Sequence, residues 1–174
     1  MTRLRGQASG FHLVEDVIHQ VVAALKAGLP AKLDALESQY DDSVILAAPR
    51  DDCYYTPTND APDSLKISYP AIFVVGGTLL NDTSSEGMGP GSDLSLSYDI
   101  GVIALCKGDT EVELQKRLYR YPVAIAEVLC NTGSLAHGTC FLQRIEYENP
   151  VLSPDDEYIR DVPMSFLVTD NESF

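Results

Sequence analysis

The sequence predicts an α+β fold: a mostly antiparallel twisted sheet of about four strands, with helices packed on one face and a long projecting β-hairpin. Four apolar strand patterns occur, at residues 65–80, 94–106, 139–149 and 157–169. The first two follow each other without a helix between them, and so do the last two, which favours antiparallel pairing. Helical patterns precede the first pair and separate it from the second.

Two helices are expected at the N-terminal end. Residues 11–28 carry apolar side chains at helical spacing, which predicts one buried stripe. Gly28 is a typical helix end and Pro30 a typical helix start, so a second, shorter helix is predicted over residues 31–40. The interval 41–66 is rich in Asp and Pro and is interpreted as a loop that could include a short strand at 44–48.

The strand at residues 94–106 alternates apolar and polar side chains over most of its length. Near its end Ile103 and Leu105 make the second side apolar too, which predicts burial on both faces there. The connection before it, residues 81–93, is rich in Gly, Ser and Asp and is expected to be an extended hairpin loop. The hairpin is predicted to project beyond the domain's own core and to contact a neighbour.

The third predicted helix begins with a capping box. Thr110 and Glu113 have the Ser/Thr-x-x-Glu spacing, in which each residue satisfies a free backbone N–H of the first turn. Pro122 removes a helical hydrogen bond, so a kink or a break is expected there. In the strand that follows, residues 139–149, period-two alternation places Phe141, Ile145 and Tyr147 on one side.

Length and composition set the class of protein. The 174 residues predict a single domain over 1–174, with a flexible N-terminus at 1–10 and a C-terminal tail at 170–174. Twelve Lys and Arg against 26 Asp and Glu give a net charge of −14, which opposes binding of nucleic acid through its phosphates. No apolar run approaches the roughly 20 residues of a membrane span, and no secretory signal is recognised, so synthesis in the cytoplasm is expected.

Reactive groups do not form a recognisable catalytic pattern. The four cysteines lack CxxC spacing and are expected to be free, buried thiols. His12, Asp16 and His19 fall on one helix face and offer the alternative of a metal-binding or enzymatic domain, although a solvated polar face is the simpler interpretation. The sequence therefore predicts no enzyme activity, no catalytic residue, no cofactor and no metal.

One basic cluster stands out in this acidic chain. Lys116, Arg117 and Arg120 share a polar face of the third predicted helix. Two interpretations stay open: ion pairs with Glu113 and its neighbours at helical spacing, or a contact with acidic loops of an identical chain. The residues predicted for such a subunit or partner interface are Lys116, Arg117, Arg120, Asp82, Glu86, Met88 and Asp93.

Three segments resemble a known family. Residues 29–37 (LPAKLDALE), 69–74 (YPAIFV) and 108–121 (GDTEVELQKRLYRY) are similar to the tail terminator, or tail-completion, proteins of long-tailed bacteriophages, or to a related head–tail neck component. The resemblance covers most of residues 11–169, and Pro122 departs from it.

The resemblance implies a structural virion protein that forms a homo-oligomeric ring, typically a hexamer, at the head-proximal end of the tail tube. Such a ring ends tube polymerisation and provides the joint to the head. Its implied partners are further copies of itself, the tail tube protein and the connector or neck protein. DNA passes through without specific binding, and no membrane is involved. A non-ring adaptor of tail assembly is the remaining alternative.

Overall fold

Two helices pack on one face of a five-stranded mixed sheet in the computed structural model. The structure describes residues 14–57, 67–81, 96–131, 133, 135–136, 138–147 and 158–170. The elements in chain order are α1 (Val14–Tyr40), a 3₁₀ turn (Asp51–Cys53), β1 (Tyr54–Tyr55), β2 (Ala71–Asn81), β3 (Leu96–Lys107), α2 (Glu111–Leu129), β4 (Gly138–Ile145) and β5 (Ile159–Asp170). The strand order across the sheet is β1-β2-β3-β5-β4.

The predicted α+β class is confirmed, but the sheet differs from the expected one. It has five strands rather than about four, and it is mixed because β1 runs parallel to β2. A two-residue strand has too little length for a periodic pattern, so Tyr54–Tyr55 was not predictable. Strands β2 and β3 are antiparallel neighbours, as a hairpin requires. The loop predicted to project from them lies almost entirely outside the described residues, so its projection stays a prediction.

Helix α1 is one continuous helix of 27 residues, and the prediction of two helices was wrong. Leu29, Leu33 and Leu36 continue the buried stripe begun earlier in the helix. Burying each leucine contributes about 1.5–3 kcal/mol, which together exceeds the cost of about 3 kcal/mol for a proline inside a helix. Gly28 does not end the helix. A Cβ there would lie 3.0 Å from Val128 Cγ1, so this glycine allows α1 and α2 to approach closely.

Helix α2 has the predicted N-terminal cap. Thr110 Oγ1 accepts the Glu113 N–H at 3.2 Å, and Glu113 Oε2 accepts the Asp109 N–H at 3.0 Å. Of the kink or break predicted at Pro122, the break is not observed, since the helix runs through to Leu129, and the kink stays a prediction. Buried neighbours on both sides of the proline hold the helix in place, and the buried Tyr121 donates its hydroxyl to the Ala47 carbonyl at 2.6 Å.

We expect the Thr110→Ala variant to lose about 1 kcal/mol of folding free energy, because the Glu113 N–H then has no side-chain acceptor at the helix start. Thr110→Ser keeps the hydroxyl and is the matched control. Chemical denaturation followed by circular dichroism measures both. Equal stabilities for the alanine and serine variants would contradict a capping role for this hydroxyl.

The core lies between the helices and one face of the sheet. Its strand residues alternate along β3 and β5, as the predicted faces of these two strands require. In β4 the predicted alternation fails, because the register shifts between Leu142 and Arg144. This bulge separates residues predicted to share a side: Ile145 packs against the core, whereas Phe141 is 49% exposed. The segment at 44–48 forms no strand, although Val44 and Leu46 are buried in the core.

Candidate functional site

The basic cluster of α2 lies beside the C-terminal end of α1. The chain leaves α1 at Asp41, whose φ of 44° is in the left-handed region, and the Asp41 N–H donates to the Glu37 carbonyl at 3.1 Å. Asp and Asn tolerate this conformation better than most residues. The turn brings the next residue, Asp42, back toward α2.

Asp42 is the centre of the cluster. Arg120 Nη1 donates to Asp42 Oδ1 at 2.9 Å and Nη2 donates to Oδ2 at 2.5 Å, which is the two-pronged geometry that a guanidinium and a carboxylate prefer. Lys116 Nζ donates to the same Oδ2 at 3.0 Å, and the Val44 N–H donates to Oδ1 at 3.1 Å. The Arg120 guanidinium also lies 4.2 Å from the centre of the Tyr40 ring. These contacts join the two helices.

Hydrogen bonds from Arg120, and further ones from Lys116 and the Val44 N–H, hold the pKa of Asp42 well below its ordinary value of 3.8. A lowered folded-state pKa means that the ionised carboxylate stabilises the fold above the unfolded pKa, and that this contribution is lost as the pH falls.

Arg117 makes a second set of contacts. Its Nη2 donates to Glu113 Oε1 at 2.6 Å, which confirms the predicted pairing at helical spacing for this residue. Its Nε donates to the Ile45 carbonyl at 3.2 Å and its Nη1 donates to the Lys107 carbonyl. Arg117 therefore connects α2 with the end of β3 and with the loop after α1.

The cluster is thus occupied by contacts within the chain. The side chains of Arg120, Arg117 and Lys116 are 8%, 22% and 40% exposed, so Lys116 is the most accessible of the three. A contact of these residues with a second copy stays a prediction. The other four predicted interface residues, Asp82, Glu86, Met88 and Asp93, lie outside the described residues.

We expect Asp42→Asn to be less stable than the natural chain at neutral pH, because the amide removes the charge that Arg120 and Lys116 contact. Both proteins should be compared by urea denaturation across pH. The difference should be constant above about pH 5 and should shrink at lower pH, because there the Asp42 carboxylate of the unfolded natural chain binds a proton while that of the folded chain stays ionised. A difference that stays unchanged down to pH 3 would show that Asp42 acts through its shape rather than its charge.

The metal hypothesis gains no support from the described residues. His12 lies outside them, whereas Asp16 and His19 lie on α1. His19 borders a cleft of about 280 Å³ that is also lined by Lys26, Asp51 and Asp52. Among the residues with described positions, no three His, Cys, Asp or Glu side chains are grouped closely enough to hold a metal ion.

Three of the four cysteines are buried, as expected, but Cys130 at the end of α2 is exposed. Burial raises the pKa of the Cys106 and Cys140 thiols to about 12, so both are protonated at neutral pH and poorly nucleophilic. The second cause for Cys140 is the neighbouring Cys130 thiol. The cysteines are all free, as predicted.

The sheet face that points away from α1 and α2 carries apolar side chains without either described helix on it. We call Val75, Ile103, Phe141, Pro163 and Leu167 the open-face patch; the strand registers place them on this side. Val75 and Phe141 are 38% and 49% exposed, and the other three are partly exposed. The predicted burial of this end of β3 on both faces is confirmed in part. Leu105 is partly buried against a second cluster that contains Cys53 and Tyr55. Ile103, in contrast, is partly exposed. In the sequence, the apolar side chains at Ile103 and Leu105 on the second side of β3 were the pattern that indicated this surface.

A second exposed apolar surface lies on α2. Val112, Tyr119 and Val123, which we call the outer stripe, are 63%, 46% and 39% exposed. With 3.6 residues per turn they lie directly opposite the buried face formed by Leu114, Leu118 and Ile125. Tyr119 also packs edge-on against Tyr147, with ring centres 5.4 Å apart.

Neither described helix is long and apolar enough to cross a membrane. Comparison with models of known protein families gave no match, and none of the curated proteins matches the chain.

Proposed function

We propose that this protein is a structural, non-enzymatic component of a bacteriophage tail. It forms a homo-oligomeric ring, in our proposal a hexamer, at the head-proximal end of the tail tube. The ring ends tube polymerisation and provides the joint to the connector or neck of the head. The protein is made in the host cytoplasm and resides in the tail or neck of the virion.

The open-face patch is the observation that carries this proposal. The patch includes residues of strands β2, β3, β5 and β4. Its apolar side chains are exposed or partly exposed even though the chain has 26 acidic residues that could occupy such positions. Exposed and partly exposed apolar side chains on one face of a sheet are typical of a protein–protein contact. Strands β2 and β3 pair antiparallel and form the base of the predicted projecting hairpin. In our proposal the tip of this hairpin contacts the tube or a neighbouring subunit.

Charge supports the same function. A net charge of −14 repels the phosphates of DNA, which suits a channel through which DNA moves without binding specifically. The buried, protonated thiols and the lack of a described metal-ligand group give no support to the enzymatic alternative. The resemblance of residues 29–37, 69–74 and 108–121 to tail terminators is the reason for proposing that the protein lies at the head-proximal end of the tail tube.

The decisive experiment measures tail length in a phage that lacks this protein. We expect overlong tails that are not joined to heads, because nothing then ends tube polymerisation. Restoring the natural chain from a plasmid should restore normal length. Tails of normal length in its absence would reject the proposal.

A further inference from the structure

We infer that two copies of this chain join through unlike surfaces: the open-face patch of one copy receives the outer stripe of the next. This inference rests on the proposed ring and names the contact that would build it. The two surfaces lie on opposite sides of the domain, because α2 packs on the sheet with its buried face and points the outer stripe away from it.

A glycine leaves space for an apolar side chain of the open-face patch. Gly101 lies within it, and a Cβ there would come within 2.7 Å of Val75 Cγ2. The glycine therefore leaves room for Val75 to lie flat across the neighbouring strand. An apolar helix stripe is an element that packs on an apolar sheet face.

Charge favours an unlike contact over a symmetric one. Asp99 and Asp161 lie on the same side of the sheet as the patch, and Arg144 on that side pairs with Glu146 at 3.1 Å. Two patches facing each other would therefore bring the aspartates of both copies together.

The outer stripe instead has Lys116 beside it, with 40% of its side chain exposed. Glu127, one turn after Val123, is paired with Lys32 at 3.3 Å. A head-to-tail contact therefore places a cation near the acidic border of the patch, although Lys116 keeps its bond to Asp42.

The position of the two surfaces agrees with a ring. A contact between different surfaces of identical chains is heterologous, and it closes into a ring when the rotation between neighbours permits. A symmetric contact would stop at a dimer. Each copy therefore has two different contact surfaces, the outer stripe and the open-face patch.

The test uses three glutamate variants of the full chain. Phe141→Glu alters the patch and Val123→Glu alters the stripe. The control is Ile45→Glu, because Ile45 is also an exposed apolar residue, at 64%, but lies in neither surface. Sedimentation velocity over a range of concentrations measures self-association, and circular dichroism verifies that each variant is folded.

We expect the patch and stripe variants each to weaken self-association at least about tenfold, and the control to match the natural chain. An equimolar mixture of the patch variant and the stripe variant should form a dimer and nothing larger. In that mixture the intact stripe of the patch variant binds the intact patch of the stripe variant. The surfaces that remain in this dimer both carry a glutamate, so no further copy binds.

Several results would overturn the inference: a natural chain that stays monomeric up to its solubility limit, a patch or stripe variant that associates normally, a control that fails equally, or a mixture that forms no dimer. The tail-length experiment is independent of these outcomes. Overlong tails without the protein, combined with normal association of both variants, would keep the proposed function and reject these surfaces. Tails of normal length without the protein, combined with a confirmed contact between the two surfaces, would reject the proposed function and keep the contact.

Discussion

Replacing Phe166 by alanine should lower the free energy of unfolding by about 3–5 kcal/mol. Phe166 lies in the middle of β5 with none of its surface exposed, between Ile100 on β3 and Leu142 on β4. Truncation leaves a cavity that the surrounding strands and helices can fill only in part. Because domains are stable by about 5–15 kcal/mol in total, this loss would leave a marginally folded protein.

Phe141→Ala is the matched control, since it removes the same side chain from the opposite face of the sheet. With Phe141 49% exposed, we expect a loss of about 1 kcal/mol or less. Urea denaturation, at a protein concentration at which sedimentation velocity detects monomer alone, measures both variants. Similar losses for the two phenylalanines would mean that the open face is covered and that the assignment of the two faces is wrong.

Gly108→Ala is expected to have the second-largest effect, a loss of about 1–3 kcal/mol. An added Cβ would lie 2.6 Å from the Leu114 nitrogen and 2.9 Å from its Cα, and backbone in the first turns of α2 cannot rotate away as a side chain can. The Gly108 N–H also donates to the Tyr158 carbonyl at 2.9 Å, so a shift of this residue would disturb the approach to β5.

Gly28→Ala provides the comparison. The atoms nearest to its added Cβ belong to the Val128 side chain, at 3.0, 3.3 and 3.7 Å, and alanine favours a helix over glycine by about 1 kcal/mol. We therefore expect a change within about 1 kcal/mol in either direction. Thermal and urea denaturation of both variants test this contrast. A Gly108→Ala protein as stable as the natural chain would show that the turn into α2 is looser than described.

The local elements of the fold were well predicted from the sequence. The four long strands fall within a few residues of their predicted ranges except at the start of β2 and the end of β4, and the cap of α2 uses the predicted Thr110 and Glu113. Each of these features depends on residues close together in the chain. Alternation and capping need no knowledge of the rest of the molecule.

The candidate site was predicted less completely. The basic residues of α2 were recognised, and the pairing of Arg117 with Glu113 follows from helical spacing. The partner of Arg120 could not be predicted from spacing, because Asp42 lies 78 residues away along the chain. The exposed outer stripe was also missed. Val112, Tyr119 and Val123 become a surface only once α2 has packed with its other side on the sheet.

The sequence by itself determined the α+β class, the long strands and the start of α2, because periodicity and capping are local properties. The tertiary structure decided three other features: the continuity of α1 through Pro30, the parallel position of β1, and the bulge that places Phe141 and Ile145 on opposite faces. Each depends on burial against a distant segment. Contacts of that kind outweigh local preferences that differ by only a few kcal/mol, and a linear pattern does not contain them.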